Sequence, residues 1–243
     1  MNRPTVRPSR MADTNTGFAA LQVDEEGGER MLERGNKHTA LHKGMLHAFS
    51  GATTALVAAA FLDGSRFGWH PTMMATAYAF SMAQGMHLAT DATGLPPGNQ
   101  RLRQLIVHAW TMAAAVACAG LGAYAIYSNK TLHDKPHFVS LHARIGLATL
   151  CLSVVAPLLG VVAFKKLGIY EGLPLALQTQ VKWLHRNTGK ITFFLAGGTS
   201  LLGLNTPSIY KGWVTLLLMG LVLANSAAVA SYIFTGRKVE PRE

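Results

Sequence analysis

Acidic residues are scarce in this 243-residue chain: it has 12 Asp and Glu against 22 Lys and Arg, and charged residues of both signs make up only 14% of it. An ordinary soluble domain carries about 25% charged residues. That shortage, set beside 49% hydrophobic residues, points to a membrane protein. Cysteine is nearly absent as well. Cys118 and Cys151 both fall inside apolar runs, where they read as small packed hydrophobes, so no disulfide framework is expected. The amino-terminal stretch lacks a basic-then-apolar leader and any long helical period, and residues 1–37 read as a disordered tail. No basic surface interleaved with aromatics occurs either, so the formal charge of +10 does not denote a nucleic-acid partner.

What is present is a series of six apolar runs, roughly 44–62, 70–89, 104–127, 138–163, 184–204 and 213–235. About 20 apolar residues suffice for one helix to cross a bilayer. The chain is therefore expected to be an all-α membrane protein of six transmembrane helices occupying 38–236, with a short tail at 237–243. Basic residues orient it. Arg34, Lys37, Lys43, Arg101, Arg103, Lys165, Lys166, Lys182, Arg237, Lys238 and Arg242 fall on one face, while the other receives chiefly Arg66, Lys130, Lys135 and Lys211. The positive-inside rule then places both termini in the cytosol.

Ten histidines is a high number for this length. His70 opens the second run and His142 lies near the start of the fourth, both at the non-cytosolic face. His108 lies near the start of the third and His185 opens the fifth, both at the cytosolic face. Any one of them is explained by a hydrogen bond to a neighbouring helix. Four of them at paired depths are not. Helices 2 and 4 would build one site and helices 3 and 5 the other, as the cores of helix bundles commonly do. Two neutral imidazoles per site, with no carboxylate or thiolate at the same depth, suit a haem iron held axially from both sides, whereas zinc takes more protein ligands. Ala109, Ala143, Gly146, Thr188 and Gly189 leave room nearby for a flat macrocycle.

The strings "WHPTMM", "HAW", "HFVSLHARIGLATL" and "LHRNTGKITFFLAGGTSLLGL" resemble segments of the cytochrome b561 family, especially its short b561 domain-containing protein 2 type. The resemblance covers all but the amino-terminal tail and the extreme carboxyl end. It implies a central four-helix bundle, helices 2–5, holding two b-type haems: a non-cytosolic one on His70 and His142, a cytosolic one on His108 and His185. It also implies electron transfer from cytosolic ascorbate to monodehydroascorbate or ferric iron on the far side, in a reticular or vesicular membrane, with pairing into a homodimer. In ascorbate-specific members the second helix ends in an apolar run, an aromatic residue and an arginine. Here that stretch reads "QGMHLATDATG", a departure that the domain-2 type shares.

Other residues are assigned by position. Arg186 and Lys190, with Arg101, Arg103 and Lys182 nearby, are candidates for binding an ascorbate anion at the cytosolic mouth. His137, helped by Asp134, is the candidate contact for ferric iron outside. His38 and His42 read as interfacial, and His47 and His87 as packed near the lower site. Two further readings stand beside the reductase. One is a haem-bearing anchor of a larger oxidoreductase complex. The other is a histidine-lined transporter, against which the midplane argues by being mostly Ala, Leu, Val and Gly, apart from Asn225 and Ser226.

Overall fold

The computed structural model describes residues 40–206 and 212–235. The expected tail 1–37, His38, Lys211 and the basic end from Arg237 lie outside the described residues. Six long helices follow one another: α1 (Ala40–Phe61), α2 (66–94), α3 (Asn99–Leu132), α4 (Leu141–Ala163), α5 (Leu175–Leu204) and α6 (Trp213–Thr235). α2 is continuous but not uniform. An α-helical Arg66–Met74 passes into a π-helical Ala75–Met82 and back into an α-helical Ala83–Gly94.

Where helices stop is set by backbone chemistry rather than by the end of an apolar run. α3 starts at Asn99, directly after Pro96, Pro97 and Gly98, and α5 starts at Leu175, directly after Pro174, ahead of the expected 104 and 184. Ser65 and Ser140 cap α2 and α4, their hydroxyl oxygens accepting the Gly68 and Ala143 N–H groups at 2.9 and 3.2 Å. Among the described residues four helices, α1, α3, α4 and α6, are long and apolar enough to cross a membrane. α2 is divided by its π-helical stretch, and α5 carries Lys182, Arg186 and Lys190.

α2 pairs with α3 and α4 with α5, and contacts between α3 and α4 and between the middle of α2 and α5 close these hairpins into a four-helix core. α1 and α6 lie outside it. Leu46 of α1 and Val229 and Tyr232 of α6 pack on Met82 and Met86 of α2 and Phe193 of α5, while Val57, Leu218 and Leu204 form a second cluster. The exterior is apolar: Trp110, Tyr124, Leu158, Trp213 and Phe234 are exposed, as on a surface facing lipid.

The interior differs from the sequence expectation of an almost purely aliphatic midplane. Thr72, Ser81, Thr149, Ser153, Thr192, Thr199 and Asn225 are buried. Thr72, Thr149, Ser153, Thr192 and Thr199 donate to the carbonyl four residues earlier in their own helix. A hydroxyl satisfied in this way passes at low cost as part of an apolar surface, so hydropathy alone does not reveal which way it points.

Candidate cofactor sites: two braced histidine pairs

The four histidines singled out by depth come together in the expected pairs. Ring centres of His70 and His142 are 6.1 Å apart at an interplanar angle of 84°, and those of His108 and His185 are 6.2 Å apart at 85°. Each ring is held the same way. His70 Nδ1 meets the Gly122 carbonyl at 3.0 Å, His108 Nδ1 that of Gly85 at 2.7 Å, His142 Nδ1 that of Thr199 at 2.9 Å and His185 Nδ1 that of Ala156 at 2.8 Å. A carbonyl only accepts, so Nδ1 carries the hydrogen and Nε2 of a neutral ring keeps its lone pair. A hydrogen bond to a neighbouring helix thus leaves the other nitrogen of each ring with a lone pair to offer.

The braces are reciprocal. α2 and α3 each supply a histidine and receive the other's, and so do α4 and α5. Within α3 the His108 level and the Gly122 carbonyl that braces His70 are fourteen residues apart, about 21 Å at 1.5 Å per residue. That sets the two histidine layers closer together than the ends of the helices.

Glycines let two of the rings come close against a neighbouring helix. A Cβ on Gly203 would fall 2.8 Å from Cε1 of His142, and one on Gly160 2.8 Å from Cε1 of His185. Neither glycine stands out in the sequence. Each follows by four residues, one helical turn, the carbonyl that accepts from the same histidine, a relation visible only once the acceptors are known. Of the small residues expected to leave room, Gly189 faces open space, whereas a Cβ on Gly146 would meet Thr199 Cγ2 at 3.4 Å.

The donor set fits a metal that brings its own equatorial ligands. Two metal–nitrogen bonds of about 2 Å, with roughly 1 Å from each nitrogen to its ring centre, sum to about 6 Å, the spacing of both pairs. Among the described residues no group of three or more His, Cys, Asp and Glu side chains could hold a bare ion. The fit is therefore to haem and not to zinc. Cys118 and Cys151 are free thiols.

At the expected cytosolic end a cavity of about 470 Å³ is lined by Tyr170, Thr179, Lys182, Trp183, Arg186, Asn187 and Lys190. Arg186 and Lys190 thus share one space with Lys182, whose Nζ also stands 4.2 Å from the Tyr170 ring centre. Arg101 and Arg103 are not in its lining. Nothing in the sequence singles out Tyr170, Thr179, Trp183 and Asn187. Tyr170 comes from the α4–α5 connection, and the others lie on the part of α5 that precedes its apolar run or at that run's start.

On the other side His137 stacks on Tyr127, ring centres 4.2 Å apart and 21° from parallel, with Nε2 3.3 Å from the Thr131 hydroxyl. His133 Nδ1 donates to the Asn129 carbonyl. His47 and His87 belong to a different grouping. Asp91 takes the Lys43 ammonium at 2.9 Å and the Tyr232 hydroxyl, with His87 Nδ1 at 3.7 Å and the His47 ring edge-on to His87 at 5.1 Å. This cluster links α1, α2 and α6.

The family model for eukaryotic cytochrome b561 matches residues 69–211. A probable transmembrane reductase of Homo sapiens, CYB561D1, is 33% identical over 105 residues, 43% of this chain and 46% of that protein, so the match spans less than half of that relative. The transmembrane reductase CYB561D2 of Bos taurus is 27% identical over 169 residues, 65% of this chain and 74% of the relative. The Mus musculus protein of the same name is 25% identical over 185 residues, 72% and 79% of the two chains.

Proposed function

The chain belongs to the eukaryotic cytochrome b561 family, and from that membership we propose that it is an ascorbate-dependent transmembrane reductase with two haem b sites. It is a multi-pass membrane oxidoreductase that binds haem b and transfers electrons across the membrane. His70 and His142 hold one haem at the non-cytosolic side, and His108 and His185 hold the other at the cytosolic side. Bound there, each haem supplies a one-electron iron couple between two imidazoles.

The chain's own residues bind, orient and insulate. Four backbone carbonyls accept from Nδ1 of the four rings, which fixes each tautomer and direction and raises the basicity of Nε2. Ascorbate is an anion at neutral pH. Lys182, Arg186 and Lys190 oppose its charge in the cytosolic cavity, Trp183 and Tyr170 offer flat apolar walls, and Thr179 and Asn187 can hydrogen-bond its hydroxyl groups. Outside, His137 is the contact for monodehydroascorbate or for ferric iron as substrate, making the protein a ferrireductase. Six helices span an internal reticular or vesicular membrane within 38–236, with 1–37 and 237–243 as cytosolic tails and two copies pairing as a homodimer.

The observation that carries this reading is the pair of reciprocally braced histidine couples at the spacing of an axially ligated metal. Its test is a visible spectrum of the purified protein with haem quantified per chain, before and after ascorbate. About two haems per chain, reduced by ascorbate, are expected. Absence of haem sinks the site assignment, and reduction by dithionite alone sinks the donor.

A further inference from the structure

In three of the four core helices the bracing carbonyl follows the histidine by fourteen residues: Gly122 after His108, Ala156 after His142, Thr199 after His185. In α2 it follows by fifteen, Gly85 after His70, and α2 alone among them contains a π-helical stretch, Ala75–Met82, lying between the two. At about 3.6 residues per turn, fourteen residues return nearly to the same face, and a fifteenth rotates the chain by about 100°. A π-helical turn closes on the fifth residue instead of the fourth and so absorbs one residue without that rotation.

We infer that the π-helical stretch of α2 absorbs a one-residue insertion, and that it keeps His70 and the Gly85 brace of His108 in the register by which the other three helices hold both ligand pairs. Proline is not its cause. Pro71 lies before the stretch and removes a hydrogen bond to an earlier residue, while Pro157 sits within α4 and leaves that helix α-helical throughout. Side chains from three neighbours hold the stretch. Asn225 Nδ2 of α6 donates to the Ala79 carbonyl at 3.1 Å, the Tyr78 hydroxyl meets that of Ser153 on α4 at 2.8 Å, and the Thr54 hydroxyl of α1, which donates to the Ser50 carbonyl of its own helix at 2.9 Å, stands 3.4 Å from the Ala75 carbonyl. This gives a use to Asn225, the amide whose place in an apolar span the reductase reading leaves unexplained.

The inference rests on the two-haem reading for one of its readouts but not for the other. Deletion of Phe80 or of Ala75, each within the stretch, should leave an α-helical α2 in correct register. Deletion of Val154, which lies between His142 and Ala156, should break the register of α4. Haem per chain and the Tm of the protein in detergent are measured for all three. The α2 deletions should keep both haems and stay within about 5 °C of the parent, while the α4 deletion loses at least one haem and a larger part of its Tm. Asn225→Leu should lower the Tm of the parent by about 5 °C and that of the Phe80 deletion far less, since the carbonyl it serves is then bonded within the helix. Loss of a haem or failure to accumulate in both α2 deletions overturns the inference, as does an α4 deletion that keeps both. A parent without haem would sink the two-haem reading, and the Tm comparison would still decide the register.

Discussion

At the scale of single residues, the site is a matter of which nitrogen is tied and which is left. Each of the four proposed ligand histidines spends Nδ1 on a backbone carbonyl of its partner helix, which orients the ring without any metal. His70→Ala should therefore remove the non-cytosolic haem and leave the cytosolic one spectroscopically intact, and His108→Ala should do the reverse. Loss of both haems from either variant, or of neither, would contradict the pairing. Gly203 tests the ring's seat rather than its ligation. Gly203→Val places carbon 2.8 Å from Cε1 of His142 and 3.0 Å from its Nδ1. It should about halve the haem per chain by displacing that ring from the Thr199 carbonyl; an unchanged pyridine haemochrome would show that the ring has room.

At the scale of helices, the two hairpins are built alike and the two outer helices are attached differently. α1 and α6 join the core through apolar clusters, through hydrogen bonds from Gln84 of α2 to Ser50 of α1 and from Asn225 of α6 to Ala79 of α2, and through an ion cluster in which Asp91 of α2 takes both Lys43 of α1 and Tyr232 of α6. Removing the carboxylate leaves a cation and a hydroxyl without their acceptor in a partly buried place. Asp91→Ala should lower Tm by about 5 °C, the effect of roughly 1–2 kcal/mol in a chain of this size, with haem per chain unchanged because the ligand pairs lie on α2–α5. A fall in haem content would mean that the outer helices help to hold the sites. Helix extents were only partly legible beforehand. Apolar runs located all six helices, but α3 and α5 continue to the nearest proline or glycine, and a π-helical turn leaves no mark in composition.

At the scale of the whole molecule, charge and exposure describe a sided device. Lys182, Arg186 and Lys190 line one cavity, on the face that the positive-inside rule predicts to be cytosolic. In vesicles of known orientation, ascorbate should reduce the protein only from that side, and Arg186→Gln with Lys190→Gln should raise the half-saturating ascorbate about tenfold, at up to about 1 kcal/mol for each lost charge contact. An unchanged titration would remove both from the donor site. The sequence by itself determined the membrane class, the six helices and which histidine rings stand together, His70 with His142 and His108 with His185, because hydropathy and the rise of a helix convert chain position into depth. Only the tertiary structure decided what surrounds those depths: the four bracing carbonyls, Gly160 and Gly203 beneath the rings, Tyr170 and Trp183 beside the cations, and Asn225 on the wide turn of α2. Depth follows from counting along one helix, whereas azimuth depends on how neighbouring helices are rotated against one another, and that is set by packing between residues far apart in the chain.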